Sequence, residues 1–388
     1  SHSPVNFAVL LTGCLPAKNG VADGTMHVEG SPLSKISIGG FRSSARKVPA
    51  VWSIMEKYGK KDFILSVPGS TPPEITEGMI VRGRRGGWGT ETFALIFESG
   101  QNNYNRGKNS SRTKMTYNDT KAVQNLISIK ASAWQTNTTS FSPALEIQFN
   151  AYGVTLFGYI YDHTDDGKVN YDRILFSENK QSTSADLTEG GWSNWTACKI
   201  LSGIDSVNSF YMIHVIKLGN DGSFRIRLLF NNLNSSLTQP GDLAEALNKN
   251  VGPMIDYPDE SPAQLITCEK DKFTFQKEMQ MSFDWHRSAT GYIMNTYKPD
   301  VMIHDIYTPN QMLTSRWWLG YVDPDGRFYN SCEKMKRENL WNEVRGMYLS
   351  LDSMIGEILQ NADSNTLVVI SSDHGVCPLN YSVNVNNL

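Results

Sequence analysis

An aspartate and a histidine stand side by side near the carboxyl end of the chain. Asp373 and His374 follow the apolar run TLVVI at residues 366–370 and precede Gly375. A carboxylate and an imidazole together supply oxygen and nitrogen ligands, which favour zinc, manganese or iron over calcium. By itself, an Asp-His-Gly sequence also suits an ordinary exposed loop in which the glycine makes a left-handed turn. The chemistry of this pair therefore depends on the elements that position it.

The segments before the pair alternate between helix and strand patterns. Spacing of apolar residues predicts helices at 278–297 and 341–359, and runs of apolar β-formers predict strands at 299–307 and 366–370. Strands joined by helices of this length pair in parallel, and ligands of open parallel sheets bind beyond the carboxyl ends of the strands. We therefore expect the acid and the imidazole to lie at the edge of a sheet where such folds carry their sites.

Three zones of the chain differ in pattern. Residues 1–80 and 261–388 have the mixed helix and strand pattern of an α/β fold with a mostly parallel central sheet flanked by helices. Residues 81–260 alternate with a period of two, and GNDG at 219–222 is typical of a hairpin turn. The sequence thus predicts an α/β domain in two parts, separated by a β-rich insertion or cap.

Composition narrows the possible partners and compartments. The 388 residues are 40% hydrophobic and carry a net charge of −3, so the chain can bury a full core and lacks the basic surface that binds nucleic acid duplexes. No apolar run approaches the roughly 18 residues that would span a bilayer. Five widely spaced cysteines without a CxxC pair predict neither a zinc knuckle nor a disulfide framework. The Asn-x-Ser/Thr sequons are compatible with a secreted glycoprotein; they begin at Asn109, Asn118, Asn137, Asn194, Asn234 and Asn380.

Several of these segments resemble the alkaline phosphatase superfamily, in particular its type I phosphodiesterase/nucleotide pyrophosphatase branch. TLVVISSDHGV, preceded by LDSMIGEIL, is similar to the metal-binding segment of that family. SPVNFAVLLTGCLPAKNGV at 3–21 is similar to its nucleophile segment, and residues 47–73 resemble the helix, strand and loop that follow. The resemblance covers roughly residues 3–75 and 275–377, and it implies that the middle zone is the variable insertion of the family.

The resemblance assigns roles to four residues. Ser3 matches the nucleophile, whose hydroxyl would be ionised by metal coordination and would attack phosphorus to give a covalent phospho-Ser intermediate. Asn6 matches the residue whose amide donates to a phosphoryl oxygen. Asp373 and His374 match two ligands of the metal that activates the nucleophile, which we expect to be zinc. A plain structural role also suits Ser3, because Ser-Pro-Val-Asn before an apolar run is a good helix start.

The chain departs from the family at a second metal site. In YTPNQMLTSRWWLG at 307–320, Asn310 and Thr314 stand where the family has an aspartate and a histidine. Asn binds such metals weakly and Thr hardly at all, so the resemblance implies one metal site and a second that is weakened or lost. His304 and Asp305 are nearby, but in a strand they face opposite sides. The family's first aspartate and last histidine ligands have no match, and we expect the chain to be truncated at both ends.

Two functions remain open. The first is a metal-dependent phosphoric ester hydrolase, a phosphodiesterase or nucleotide pyrophosphatase acting on a small phosphate ester or nucleotide, outside the cell or in the periplasm. The second is a weakened or inactive relative that serves as a binding or structural module through exposed aromatics such as Trp88, Trp192 and Trp195. Arg84 and Arg85 could clamp a phosphate or belong to a packed turn. The residues do not specify the substrate or the oligomeric state.

Overall fold

The computed structural model of the chain describes residues 3–27, 30–32, 34, 38–81, 94–100, 123–202, 205–231, 233, 235, 238–255, 266, 268–315 and 317–379. The chain divides into two compact units. The first combines Ser1–Glu91, Ser235–Pro258 and Lys277–Leu388, and the second combines Thr92–Asn234 with Asp259–Gln276. The sequence pattern placed residues 235–258 in the insertion, whereas their contacts place them in the first unit.

The first unit has a mixed α/β composition. Its helices are α1 (Ser3–Thr12), α2 (Pro16–Asn19), α3 (Val51–Lys57), α4 (Leu243–Asn250), α6 (Thr308–Leu313), α7 (Leu319–Val322) and α8 (Lys334–Leu359), with a 3-10 turn at Ser43–Ala45. Helix α5 (Glu269–Thr296) runs through residues of both units and belongs to the first from Lys277 onward. None of the described helices is long and apolar enough to cross a bilayer.

Two sheets belong to this unit. Strands β1 (Thr25–Met26) and β2 (Ile38–Gly39) form a short antiparallel pair. Strands β3 (Asp62–Leu65), β4 (Met79–Val81), β15 (Thr238–Gln239) and β16 (Val301–His304) form a four-stranded sheet in the order β15-β4-β3-β16. Strand β3 pairs in parallel with β4 and β16, and β15 pairs antiparallel with β4. Three neighbouring strands are therefore parallel, while the mostly parallel central sheet predicted from the helix and strand pattern is not shown among the described residues.

Helix α1 is held by the core beside this sheet. Its Leu11 shares a buried cluster with Trp52 of α3, Ile64 of β3 and Ile80 of β4. The helix ends at Thr12, and Gly13 follows with a φ of 63°, the left-handed conformation that glycine adopts without steric strain. Burial of Leu11 against the sheet fixes the axis of α1, and this axis sets where Ser3 lies at its first turn.

The predicted strand at 366–370 is wrong. Helix α8 and strand β16 lie where the sequence predicts them, but the structure assigns no strand to the residues that follow α8. Leu367 is 86% exposed and Val369 is 77% exposed. A strand is stabilised by hydrogen bonds to a neighbouring strand, and in the part of the chain that the structure describes none pairs with this run. Apolar β-formers alone are therefore insufficient here.

The second unit is a sandwich of two five-stranded sheets. One has the order β11-β10-β9-β8-β7 and the other β12-β13-β14-β5-β6. Ring centroids of Phe97 and Phe149, which come from opposite sheets, lie 4.6 Å apart in the shared core. The strands are β5 (Ala94–Ser99), β6 (Val123–Leu126), β7 (Ile129–Lys130), β8 (Leu145–Ala151), β9 (Val154–Tyr161), β10 (Arg173–Ser177), β11 (Ala185–Leu187), β12 (Thr196–Ser202), β13 (Asp205–Leu218) and β14 (Phe224–Phe230).

The predicted hairpin at 219–222 is present. Strands β13 and β14 pair antiparallel on either side of this turn. The backbone N–H of Gly219 donates to the carbonyl of Ser223 at 2.7 Å, and Gly222 has a φ of 79°. A glycine with positive φ matches the twist of the two strands, which explains why the GNDG pattern was a reliable signal.

A buried carboxylate lies at the start of the central strand β3. Asp62 is 3% exposed, and neither of its carboxylate oxygens has a hydrogen-bond partner among the described residues. Burial, followed by the nearby carboxylates of Glu56 and Asp300, raises the pKa of Asp62 to about 6. The ionised form is therefore destabilising in the native state.

We expect Asp62→Asn to stabilise the first unit at high pH. The native pKa lies above the unfolded value, so the native state binds an extra proton as the pH falls from about 6 to about 4, and the destabilisation is present above that window. The substitution should raise the free energy of unfolding by roughly 1–3 kcal/mol at pH 8 and by little at pH 4. Thermal melts at both pH values measure this difference.

Asp352→Asn is the matched control. Asp352 is an exposed carboxylate on α8, and its substitution should leave the melting temperature unchanged at both pH values. Equal effects of the two substitutions, or a loss of stability at pH 8 on changing Asp62, would contradict the assignment of a destabilising buried charge.

Candidate functional site

The first turn of α1 and the segment after α8 meet at one hydrogen bond. The hydroxyl oxygen of Ser3 lies 2.8 Å from Nε2 of His374, although 371 positions separate the two residues in the chain. Both side chains are half-buried. The structure therefore brings together the two residues that the resemblance identifies as the nucleophile and a metal ligand.

The second nitrogen of His374 determines the direction of this hydrogen bond. Nδ1 lies 2.8 Å from the carbonyl oxygen of Gly375, which can only accept, so Nδ1 carries a proton and donates it. In the neutral imidazole Nε2 is then an acceptor, and the hydroxyl of Ser3 donates to it. This is the arrangement of a nucleophile whose proton is held by a base, with a third group orienting the base.

Asp373 adds a carboxylate oxygen to the same place. Its Oδ2 lies 3.3 Å from Nε2 of His374, is buried and makes no hydrogen bond to another described residue. Two ligands of a tetrahedral zinc ion lie about 3.4 Å apart, given zinc–ligand distances of about 2.0–2.1 Å. The unpartnered oxygen of Asp373 and Nε2 of His374 therefore fit one metal ion in donor type and spacing, whereas Oγ of Ser3, at 2.8 Å from Nε2, is at hydrogen-bond distance.

The protein ligands seen here do not complete a metal site. Within the described ranges, no group of three or more His, Cys, Asp or Glu side chains is placed to hold a metal ion. Asp373 and His374 supply two such ligands, and the hydroxyl of Ser3 would be the third donor. A catalytic zinc ion usually has three such protein ligands and an open position, so the two seen here leave the shell one ligand short.

Asn6 lies one helical turn after Ser3. Residues three apart share one face of a helix, so the amide of Asn6 and the hydroxyl of Ser3 lie on the same side of α1. The free backbone N–H groups of the first turn face the same end, where they favour an anionic phosphoryl group. This geometry suits the donor role that the resemblance implies for Asn6.

Asn310 and Thr314 make local contacts in and around α6. The amide nitrogen of Asn310 donates to the hydroxyl oxygen of Tyr307 at 2.6 Å. The hydroxyl of Thr314, which is exposed, donates to the backbone carbonyl of Asn310 at 2.6 Å. Both side chains thus act within one turn of helix, and neither adds a charged ligand to the chain's candidate metal site.

His304 belongs to a hydrogen-bonded pair of histidines, in which His286 is buried and His304 is half-buried. Its Nε2 lies 2.7 Å from Nδ1 of His286 on α5, and its Nδ1 lies 3.3 Å from the hydroxyl of Thr290. That hydroxyl donates to the carbonyl of His286 at 2.8 Å, so Nδ1 of His304 must be the donor to Thr290. His286 then donates to Nε2 of His304. The chain of donors has a single direction and requires a neutral His304, whose burial lowers its pKa well below the usual value.

Of the other residues that the sequence suggested for binding, the structure describes only Trp192 and Trp195. Arg84, Arg85 and Trp88 lie outside the described residues. Trp192 stacks on His214 with ring centroids 3.9 Å apart, so its ring is a packing surface within the second unit. Trp195 is half-buried. Of the aromatics named as exposed from the sequence, these two are therefore less available to a ligand than expected.

One protein-family model matches the carboxyl-terminal part of the chain. Residues 245–388 match the sequence model of one family. It is the type I phosphodiesterase / nucleotide pyrophosphatase family. This phosphodiesterase match includes Asp373 and His374; it confirms the resemblance in the carboxyl-terminal part of the chain and is consistent with the alkaline phosphatase superfamily. Ser3 and Asn6 lie outside the matched residues.

The other comparisons add no relative. Neither a search of curated proteins nor a search of solved structures finds a significant match. The phosphodiesterase match supports a phosphoric ester hydrolase at the level of the family. The roles of individual residues depend on the geometry described above.

Sequence reasoning missed two features of this region. The carbonyl of Gly375, which sets the tautomer of His374, carries no side chain and so leaves no signal beyond the glycine itself. The partnership of His286 with His304 joins a helix to a strand, and neither residue lies in a motif. Only the apolar surroundings of His304 in VMIHDIY hinted at burial, and a buried histidine needs a hydrogen-bonding partner.

We expect the first unit to lose stability in mild acid through His304. Its native pKa is depressed, so the unfolded chain binds a proton below about pH 6.5 that the native state excludes. This one group should contribute a slope approaching 1.4 kcal/mol per pH unit below that value. Denaturant titrations between pH 8 and pH 5 measure it.

His304→Gln should be less stable than the unmodified chain at pH 8 and should show a shallower loss of stability toward pH 5. His163→Gln changes an exposed histidine and serves as the control, with no change in slope. An unchanged slope in the His304 variant would show that the buried pair accepts a proton without unfolding.

Proposed function

We propose that this protein is a metal-dependent phosphoric ester hydrolase of the phosphodiesterase or nucleotide pyrophosphatase type, with Ser3 as its nucleophile. The observation that carries the proposal is the 2.8 Å hydrogen bond from the hydroxyl of Ser3 to Nε2 of His374, beside the unpartnered Oδ2 of Asp373. The phosphodiesterase match over residues 245–388 supports the class of reaction. We infer a small phosphate ester or a nucleotide as the substrate class.

The side chains of this site can prepare a hydroxyl for attack on phosphorus. His374 is oriented by its donation to Gly375, and its Nε2 accepts the proton of Ser3. Oγ of Ser3 then forms a bond to phosphorus as the bond to the ester oxygen breaks, and that oxygen leaves with the proton from Nε2, which gives a phosphoserine. In the second half, a water gives its proton to Nε2 and attacks phosphorus, the bond from phosphorus to Oγ breaks, and Nε2 returns the proton to Oγ of Ser3.

Nε2 of His374 has one lone pair, which holds either the proton of Ser3 or a metal ion. A bound divalent ion such as zinc would supply the positive charge that stabilises an ionised Ser3 and offsets the charge of the phosphoryl group. Asp373, His374 and Ser3 would hold that ion. Asn6 and the first N–H groups of α1 would donate to the phosphoryl oxygens and orient them.

The second candidate function is a weakened relative that binds without turnover. Asn310 and Thr314 favour it, because their side chains are engaged within or next to α6 and bring neither a carboxylate nor an imidazole to a second metal ion. Exposure of Asn137 and Asn194, two of the sequon asparagines, is compatible with the proposed extracellular or periplasmic location. The two functions differ in turnover, which the following experiments measure.

Ser3→Ala should abolish hydrolysis of bis(p-nitrophenyl) phosphate while the chain stays folded. Loss of the nucleophile should lower turnover by about 10³-fold or more, and loss of one hydrogen bond should lower stability by only about 1 kcal/mol. Ser353→Ala, which changes an exposed serine of α8, is the control and should turn over at the unmodified rate. Undiminished turnover in the Ser3 variant would exclude Ser3 as the nucleophile, and absence of turnover in the unmodified chain would favour the binding module.

The full-length, unmodified protein should bind one transition-metal ion tightly and a second weakly or not at all. Asn310→Asp combined with Thr314→His should bring the metal content toward two ions per chain and increase phosphodiesterase turnover, because the pair restores a carboxylate and an imidazole. Asp373→Asn should remove the first ion, and Asp363→Asn, in the exposed loop after α8, should not. Elemental analysis after dialysis gives the stoichiometry. Two tightly bound ions in the unmodified chain would contradict the loss of the second site.

A further inference from the structure

A cavity of about 400 Å³ opens on the second unit, and none of its lining residues is assigned to hydrolysis. Its wall comes from strands β9, β10 and β11 and from the segment that precedes β8. Two threonines line it together with Asn137, Phe141, Tyr161, His163, Arg173 and Asp186. The lining is thus mostly polar, with one exposed aromatic ring and one ion pair.

A hydrogen-bonded triad forms the floor of the cavity. Oδ2 of Asp186 accepts from the hydroxyl of Tyr161 at 2.9 Å, and its Oδ1 accepts from Nε of Arg173 at 3.1 Å. The three residues stand on three adjacent strands, and both charged side chains remain about one third exposed. These hydrogen bonds fix the planes of the carboxylate and the guanidinium before any ligand binds. The carboxylate still has lone pairs that can accept from a ligand, and the guanidinium still has outer N–H groups that can donate to it.

Phe141 supplies the apolar face. Its side chain is 51% exposed, yet its backbone N–H donates to the carbonyl of Asp162 at 3.0 Å. The neighbouring hydroxyl of Ser140 accepts from the backbone N–H of Asp162 at 3.2 Å. These hydrogen bonds fix the backbone that carries Phe141, so its exposed ring presents a flat apolar surface at a defined position.

The charges around the cavity disfavour an anion. The loop at 162–172, which contributes His163 to the lining, contains four aspartates and a single lysine. Within the cavity, the positive charge of Arg173 is already balanced by Asp186. A phosphate would therefore meet a neutral pair beside an acidic loop, whereas a neutral ligand rich in hydroxyl groups meets donors and acceptors in fixed positions.

We propose that this cavity binds a neutral saccharide. Neighbouring hydroxyls of a sugar ring match the carboxylate of Asp186 and the guanidinium of Arg173, the amide of Asn137 adds a donor and an acceptor, and the apolar face of the ring covers Phe141. The saccharide has two possible sources. It is either a free glycan or the glycan carried by this chain on Asn137, which begins the sequon Asn-Thr-Thr. The proposal is independent of the hydrolytic site.

The experiment is a titration of the full chain produced in a bacterial host that adds no N-glycan. The probes are glucose, galactose, mannose, N-acetylglucosamine and their β-1,4-linked disaccharides, with inorganic phosphate as the anionic comparison, and binding is followed by saturation-transfer NMR. At least one saccharide should bind. Asp186→Asn should weaken it by about tenfold or more, because a hydrogen bond to a charged group is lost, and Phe141→Ala by about threefold to tenfold.

Two matched variants separate these effects from general damage to the second unit. Glu189→Gln changes another partly exposed carboxylate, which pairs with Lys270, and Phe273→Ala changes another exposed phenylalanine of the same unit. Both should bind the saccharide as the unmodified chain does. Absence of saccharide binding by the folded chain, binding that neither Asp186→Asn nor Phe141→Ala alters, or phosphate binding that exceeds saccharide binding would each overturn the proposal.

Chain from a glycosylating host distinguishes the two sources. If a glycan on Asn137 fills the cavity, that form should not bind the added saccharide that the bacterial form binds. If the natural ligand is a free glycan, both forms should bind it equally. Either result supports a saccharide site, and the bacterial form alone decides whether the site exists.

Discussion

The hydrogen bond between Ser3 and His374 depends on the packing that holds α1 and α8 in the first unit. It joins two segments 371 positions apart, so its geometry is set by whatever fixes α1 at one side and α8 at the other. Leu11 of α1 packs against Trp52 of α3 and Ile64 of the central strand β3. His374 is then oriented by a contact one residue away, with Gly375. Long-range packing thus brings the two residues within reach, and a local backbone contact selects the tautomer.

The sequence predicted the elements whose signal is periodic. Apolar spacing located α5 and α8, a β-rich run located β16, and GNDG located the turn between β13 and β14. The sequence also identified Ser3 and His374 as candidates through its resemblance to the phosphodiesterase family. Such a resemblance indicates which residues act together but not the distance between them. Periodicity failed at residues 366–370, where the side chains favour a strand but the structure provides no neighbouring strand. A strand is a property of a pair of segments, and one segment alone cannot establish it.

Buried polar groups were the least predictable part of the molecule. Asp62, His214 and His304 each titrate away from their ordinary range because burial disfavours the charged form. Nothing in their sequence surroundings identifies the partners, since His214 meets Thr274 and His304 meets His286 across separate elements. Burial disfavours the ionised carboxylate of Asp62, which lowers stability at high pH. It also disfavours the protonated imidazoles of His214 and His304, which lowers stability at low pH. The native state is therefore balanced between these two effects near neutral pH.

The exposed run from Leu367 to Ile370 has a consequence for behaviour in solution. Four consecutive apolar residues with high β-propensity lie on the surface, and three of them are more than two thirds exposed. Their backbone groups form no ladder with another described strand, so they present an open template to any extended segment of another molecule. Self-association through this run would grow with protein concentration, and the small net charge of −3 would oppose it only weakly. Lysine or proline at Val369 would interrupt such pairing on the same physical grounds that natural sheets use at their edges.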